Sequence, residues 1–348
     1  MQTEQRIKEL ALELNLPLCG ITSPQLDTLH YEKFRKWLES GALANMEYLG
    51  RDPQRRRSVL EIMPEARSVI VFGLPYSTGC NSPDSAELAG RISRYATGRD
   101  YHHILEKKLK EIIRRTPELA SARNRIYVDY GPLLERAYAQ AAGLGFIGKN
   151  NCLINPVWGS FIFLAEIVTE LALEHDEACT HNCGDCRACL DACPAGALSE
   201  AYVLDARHCI SFHSVENKTA VPPEVREKWS DNWIIGCDTC QNACPYNRNI
   251  PVTPEPECSG IFQSRHTELE KFLLCDEEAF NARFAGSPLR RAGYSAMARN
   301  CAIVAAHSPN KEAALELLEK ALLLHRNNEM LKEHILWAIR RIGDKQTA

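Results

Sequence analysis

The stretch CGDCRACLDACP, residues 183–194, spaces four cysteines as CxxCxxCxxxC and ends on a proline. A second group, Cys237, Cys240 and Cys244 followed by Pro245, lies in IIGCDTCQNACP (234–245), and Cys209 stands alone between the two in RHCISF. A CxxC step lets two thiolates reach one metal centre from a single tight turn. Two CxxC pairs would suit a tetrahedral zinc site, but zinc has no use for the third step and the trailing CP. More than 170 residues precede the motif and about a hundred follow its partner, far more chain than an electron carrier needs.

The pattern resembles that of two-cluster bacterial ferredoxins, in which the cysteine before proline ligates the other cluster. Carried over, Cys183, Cys186, Cys189 and Cys244 hold one 4Fe–4S cluster, and Cys193, Cys209, Cys237 and Cys240 hold the second. The count closes at eight. One departure stands out: the first ligand of the second motif would ordinarily lie two residues before CDTC, whereas Cys209 lies far upstream, so an insertion splits that motif. Of the fifteen cysteines, the other seven (Cys19, Cys80, Cys152, Cys179, Cys258, Cys275 and Cys301) share no spacing and read as small buried hydrophobes.

Composition frames these motifs. The chain has 348 residues, 45% hydrophobic and 25% charged, with a formal net charge of −4, which is enough to bury a sizeable core and divide into two or three domains. Its first residues, MQTEQRIKELALELN, read as an amphipathic helix and not as a secretory or twin-arginine leader. No apolar run approaches the roughly 20 residues that span a bilayer. A cytoplasmic protein without membrane contact is expected, its cysteines serving as metal ligands and free thiols.

SVIVFGLPY (68–76), RIYVDYG (125–131) and FIFLAEIVTEL (161–171) predict strands. YHHILEKKLKEIIRR (101–115) and LLERAYAQAAG (133–143) predict helices, the second ended by glycine. No GxGxxG opens a helix after a strand and no GxxxxGK[ST] occurs, so neither a dinucleotide nor a nucleoside triphosphate is announced.

ISRYATGRDYHH (92–103), VDYGPLLERAYAQAAGLGFIGKNN (128–151), GSFIFLAEIVT (159–169), the two cysteine groups and DARHCIS, in this order and spacing, resemble the epoxyqueuosine reductase family. The resemblance implies a nitroreductase-like cobalamin-binding α/β domain over 1–172, a ferredoxin-like domain with two 4Fe–4S clusters over 173–260, and a HEAT-like α-helical domain over 270–348. It implies that electrons from an external one-electron donor such as ferredoxin or flavodoxin pass through the clusters to cobalamin, and that a monomer reduces epoxyqueuosine at the tRNA wobble position. Asp129 in VDYGP is then the proton donor, the alternative being a cap on the LLERAY helix. Arg57, Tyr95, Asp129, Lys149, Leu153, Asn155, Ser160 and Ser211 are the implied cobalamin contacts, with Arg51, Arg55 and Arg56 read as a solvated basic run. DYHHIL (100–105) lacks the glycine of a DxHxxG motif, so a corrinoid without a histidine ligand is implied, and His102 and His103 read as helix-surface or pocket residues. A reductive dehalogenase and a non-catalytic iron–sulfur carrier with a helical scaffold are the alternatives.

From about residue 289, apolar residues recur at three and four, broken at SPN and again at RNNEM, the pattern of a helical repeat. Residues 283–348 hold 11 Lys+Arg against 6 Asp+Glu. In a chain that is acidic as a whole, this local excess makes the C-terminal helices the expected surface for an anticodon loop, or else a helical cap that supports the cluster domain.

Overall fold

The structure is a computed structural model that describes residues 2–79, 88–259 and 264–344. Its strands are β1 (Leu18–Thr22), β2 (Ser68–Pro75), β3 (Ala89–Ile92), β4 (Asn124–Tyr127), β5 (Phe146–Ile147), β6 (Leu153–Ile154), β7 (Ile162–Thr169), β8 (Trp233–Ile235) and β9 (His266–Glu268). The principal sheet has the order β1-β2-β7-β4, antiparallel throughout. Register between β2 and β7 runs from Ser68 opposite Thr169 to Pro75 opposite Ile162.

Strand alternation explains why β2 is buried along its whole length. Ile70, Phe72 and Leu74 face one layer, with Ile104, Leu105, Leu109 and Ile112 of the helix Tyr101–Arg115 and Ile7 and Leu10 of the helix Thr3–Glu13. Val69 and Val71 face the other, with Val59, Met63, Tyr138 and Ala139. A sheet covered on both faces reads as a continuous apolar run, which is why SVIVFGLPY was legible as a strand. Both predicted helices form, the second only over Glu135–Ala141. The middle strand ends at Tyr127, because Asp129 adopts φ +55° and Gly131 φ +122°, so residues 129–134 form a loop.

A second sheet, β8-β3-β9, joins distant parts of the chain: β3 pairs parallel with β8 and antiparallel with β9. Around it, one core combines Ile92 and Ala96, Ile210 to Ile235, and Leu269 to Ile342. The C-terminal helices Tyr294–Ala306, Lys311–Leu324 and Glu329–Asp344 break at the two expected places. Thus the insertion between Cys209 and Cys237 is packed on the C-terminal helices.

Arg299 fastens that contact. Its side chain is fully buried and donates to the carbonyls of His213, Asn217 and Thr219 and to Asn300 Oδ1. Burial pulls its guanidinium down to about 10. Arg299→Met fills similar volume but leaves these carbonyls without a donor, and should cost about 3 kcal/mol or more. Chemical denaturation of the two proteins measures the loss; an unchanged midpoint would show that water replaces the guanidinium at no cost.

Candidate functional site

The seam between the principal sheet and the cysteine-rich segment is built by close approach. Gly159 has φ +68°, and a Cβ there would lie 2.1 Å from Asn247 Oδ1; Gly236, at φ +66°, would meet Ser93 Cβ at 2.4 Å. Across the seam, Ser160 N and Oγ bond Asn247 and Gln241 at 2.7 and 2.9 Å. Asp238, only 1% exposed, accepts from Ser93 Oγ, from Arg94 N at 3.0 Å and from Arg265 Nη2 at 2.7 Å. These bonds fix the residues on either side of it, Cys237 and Thr239, against the end of β3.

Cys183, Cys186, Cys189 and Cys244 line one cavity with Lys149, Asn150, Ile154, Pro245 and Tyr246. Cys186 is exposed, Cys189 and Cys244 are buried, and Cys183 is intermediate. Cys193, Cys209, Cys237 and Cys240 form a second electrostatic neighbourhood, in which Cys240 feels the other three. Cys209 is the N-cap of the helix Ile210–Val215 without a side-chain cap hydrogen bond; burial raises its thiol, against the pull of the backbone N–H groups of Phe212 and Ser211. Burial pushes Cys237 up to about 12 and Cys240 well above the usual thiol range, so metal binding here must displace protons. Among the described residues, no group of three or more His, Cys, Asp or Glu side chains is set to hold a metal ion. The first quartet walls a cavity.

Cys152 is half-buried. It lies in the field of Cys244 and Cys189 of the first quartet, and Cys240 of the second feels it in turn. Cys258 and Cys301 are buried, Cys19, Cys179 and Cys275 are intermediate, and Cys80 lies outside the described residues.

The remaining sequence candidates divide by partner. Lys149 Nζ donates to the carbonyls of Gly184 and Cys186 at 2.6 and 2.9 Å, which ties it to the first cysteine loop. Asn155 closes a turn, accepting from Val157 N and Trp158 N and donating to Leu144 O. Leu153 is buried in β6. Ser211 meets Cys209 through its backbone. Tyr95 packs between two cores, and its hydroxyl is buried with no hydrogen-bond partner among the described residues. It shares a field with Arg291, Glu216, Asp238 and Asp129. Arg57 is exposed; its neighbour Arg56 donates to Gly131 O at 3.2 Å in the Asp129 loop.

Asp129 is the convergence point of that loop. Tyr101 Oη donates to its Oδ2 at 2.5 Å, and His102 Nε2 and Arg291 Nη1 lie 3.8 and 3.7 Å from the same oxygen. Arg291 is anchored by Glu216 Oε1 at 2.7 Å. Asp129 does not cap the following helix: that helix starts at Glu135 with Leu134 as an N-cap without a side-chain bond, and Asp129 N itself donates to Glu135 Oε1 at 2.8 Å. Sequence reading missed Tyr101, Glu135 and Arg291. Tyr101 and Glu135 sat inside quoted segments, whereas nothing local marks Arg291.

Burial and the neighbouring Asp129 raise the Glu135 carboxyl to about 8, against the pull of Arg136 and Arg56. A carboxyl whose pKa is raised on folding stabilises the fold below its unfolded value and loses that contribution as pH rises through about 8. Glu135→Gln keeps an oxygen for Asp129 N–H and removes the titration. Its melting temperature should therefore fall less than that of the unsubstituted chain between pH ~4.5 and about 8; parallel curves would mean that Glu135 titrates normally.

Comparison with known proteins places this geometry. The family model described as 4Fe-4S double cluster binding domain matches residues 182–247, and that of epoxyqueuosine reductase QueG, DUF1730, matches residues 56–130. The epoxyqueuosine reductase of Pseudomonas aeruginosa is 38% identical over 353 residues, covering 98% of this chain and 94% of that protein. That of Escherichia coli is 35% identical and covers 100% and 91%. Among solved structures, the epoxyqueuosine reductase of Streptococcus thermophilus superposes with a TM-score of 0.88 at 29% identity, over 98% of this chain and 90% of that one. An epoxyqueuosine reductase crystallised with an epoxyqueuosine-modified tRNA-Tyr stem loop superposes with 0.83 at 28% identity, over 98% and 100%. With likeness of this extent in sequence and in fold, the chain belongs to the epoxyqueuosine reductase family.

Proposed function

We propose that this chain reduces epoxyqueuosine to queuosine at the wobble position of tRNA, taking up two electrons and two protons and releasing the epoxide oxygen as water. The observation that carries the reading is the Asp129 carboxyl, gripped by the Tyr101 hydroxyl and faced by His102 and Arg291, in the same electrostatic neighbourhood as Tyr95 at the seam with the cysteine quartets. Asp129 delivers a proton to the departing oxygen. Tyr101 orients its carboxyl, and Arg291 offers a positive charge to the oxygen as it becomes anionic.

Cobalamin is the group proposed for the seam, and the buried Tyr95 hydroxyl without a partner fits a bound polar group there. When bound, cobalamin supplies a strongly reducing cobalt centre. Arg57, Tyr95, Asp129, Lys149, Leu153, Asn155, Ser160 and Ser211 are its proposed neighbours; Lys149 and Ser160, already tied to protein partners, shape the walls. The first quartet, with exposed Cys186, stands where an external one-electron donor such as ferredoxin or flavodoxin can approach. The second, with Cys237 packed against the core that also carries Tyr95, stands on the inner side. The nitroreductase-like and HEAT-like parts, with bounds at 1–172, 173–260 and 270–348 and a monomeric state, complete the proposal.

Anaerobic turnover with epoxyqueuosine-containing tRNA tests it, the product nucleoside losing one oxygen by mass. Protein reconstituted without air should carry about eight iron atoms per chain. No queuosine from protein with full iron and added cobalamin would end the proposal.

A further inference from the structure

GSFIFLAEIVT (159–169) sets one glutamate inside an apolar strand. Glu166 lies in β7, opposite Val71 of β2 and Tyr127 of β4. Side chains alternate along a strand, so Glu166 shares its face with Leu164 and Val168. That face packs with Tyr138 and Ala139 of the helix Glu135–Ala141. Glu166 is fully buried, and neither of its carboxyl oxygens has a hydrogen-bond partner among the described residues. A buried carboxyl without partners destabilises the fold and keeps its proton. Packing alone favours an apolar side chain at this position.

Glu135 is the first residue of the helix that covers this face, and its Oε1 accepts from Asp129 N at 2.8 Å. Asp129 itself follows Tyr127, the β4 partner of Glu166, by two residues. Three carboxyls therefore run from the core to the loop, where the Asp129 side chain is 46% exposed. Burial first, then Glu135 and Asp129, push Glu166 well above the usual carboxylate range. Around Glu135 stand Arg136 and Arg56, the latter donating to Gly131 O at 3.2 Å. β4 brings Tyr127 and, opposite Val168, Arg125 to the face of Glu166. The Tyr138 hydroxyl is already engaged by Val59 N and Pro24 O, at 2.9 Å each. Tyr101, His102 and Arg291 meet Asp129 at the open end.

We propose that Glu135 and Glu166 form a proton store behind Asp129, from which Asp129 is reloaded for the second protonation of each turnover. This rests on the reading of the chain as an epoxyqueuosine reductase and supplies the proton which that reading leaves without a source. Opening the epoxide breaks one C–O bond, and Asp129 gives its proton to the oxygen, which becomes a hydroxyl. Forming the double bond breaks the other C–O bond, and the hydroxyl leaves with a second proton as water. The external one-electron donor, acting twice, provides the two electrons. Asp129, ionised by the first transfer, takes the proton of Glu135 for the second, and Glu166 refills Glu135. Solvent restores the store through the exposed Asp129 end once the product has left. Glu166 acts only through Glu135 and is a positioning residue.

The test compares Glu135→Gln and Glu166→Leu with the unsubstituted chain, all iron-loaded and supplied with cobalamin and epoxyqueuosine-containing tRNA. Single-turnover queuosine formation by the unsubstituted chain should slow as pH rises through about 8, where Glu135 loses its proton. Glu135→Gln should be about tenfold slower at neutral pH and lose that decline. Glu166→Leu should also slow, by about threefold or more, while its melting temperature stays level or rises, because an unpartnered buried carboxyl has gone. A merely structural glutamate would lose stability instead. Infrared spectra without substrate read the store itself: each substitution should remove one protonated-carboxyl C=O band at neutral pH. The Glu135 band should fade through about 8 and the Glu166 band persist. Absence of both bands, or normal rates and pH profiles in both variants while the unsubstituted chain forms queuosine, would overturn the store and leave the reaction standing. Both bands in a chain that forms no queuosine would sink the reading of the reaction and the role of the store with it.

Discussion

Asp129→Asn is expected to keep its iron, its fold and its capacity to bind cobalamin, and to lose at least about two decades of turnover, the usual worth of general-acid assistance being 10² to 10⁴. The substitution preserves shape, and the amide oxygen still accepts from Tyr101 Oη, now 2.5 Å from Asp129 Oδ2. The Asp129 N–H bond to Glu135 uses the backbone and survives as well. What disappears is a proton that can be given to the leaving oxygen. Tyr101→Phe separates positioning from donation: it leaves the acid and removes its orienting bond, so the loss should be smaller, about tenfold for a single neutral hydrogen bond of roughly 1 kcal/mol or a little more. Measuring single-turnover rates on iron-loaded protein with added cobalamin avoids confusion with slow electron delivery. Near-normal rates in the asparagine variant would mean that water or another group, Glu135 being the nearest carboxyl, supplies the proton.

Where local pattern was strong, the sequence sufficed. The helix over 101–115 has its apolar residues on one face and Asp100 accepting from His102 N as an N-cap, so its limits coincide with the predicted ones. β2 and β7 are long, β-branched and buried, and their ends were read to within two residues. The second sheet escaped notice because β3, β8 and β9 are three or four residues long, and β3 contains Gly90, which packs against Ile234 and Leu269. No periodicity develops over so short a run, and pairing across such sequence distance leaves no local trace. The same limit governs the Asp129 site: Asp129, Tyr101 and Glu135 stand in segments that drew attention, whereas Arg291 and its anchor Glu216 arrive from the far side of the shared core. A net excess over 283–348 says nothing of whether an arginine ends at the surface or, like Arg299, inside.

Cys209→Ser should remove the second cluster alone, dropping iron from about eight to about four atoms per chain, and should reduce turnover below detection. Serine is a good N-cap, so the helix Ile210–Val215, which Cys209 caps, should form as before and the buried contacts of Arg299 to His213 O should hold. The hydroxyl, however, is a poor replacement for thiolate on iron. The first quartet contains no part of this helix, and its cavity is lined by Cys183, Cys186, Cys189 and Cys244, so its iron should remain and keep its own spectrum. Cys152→Ser is the informative partner, because Cys152 lies in the electrostatic field of Cys244 and Cys189 of the first quartet, and Cys240 of the second lies in its own. Under the assignment that the ferredoxin resemblance implies it holds no iron, and the variant should keep about eight atoms. Iron analysis with electron paramagnetic resonance of the reduced proteins distinguishes the cases. Full iron in Cys209→Ser together with half iron in Cys152→Ser would transfer the eighth ligand to Cys152. It would also show that the second motif is completed from the Phe146–Ile154 hairpin and not across the insertion that packs on the C-terminal helices.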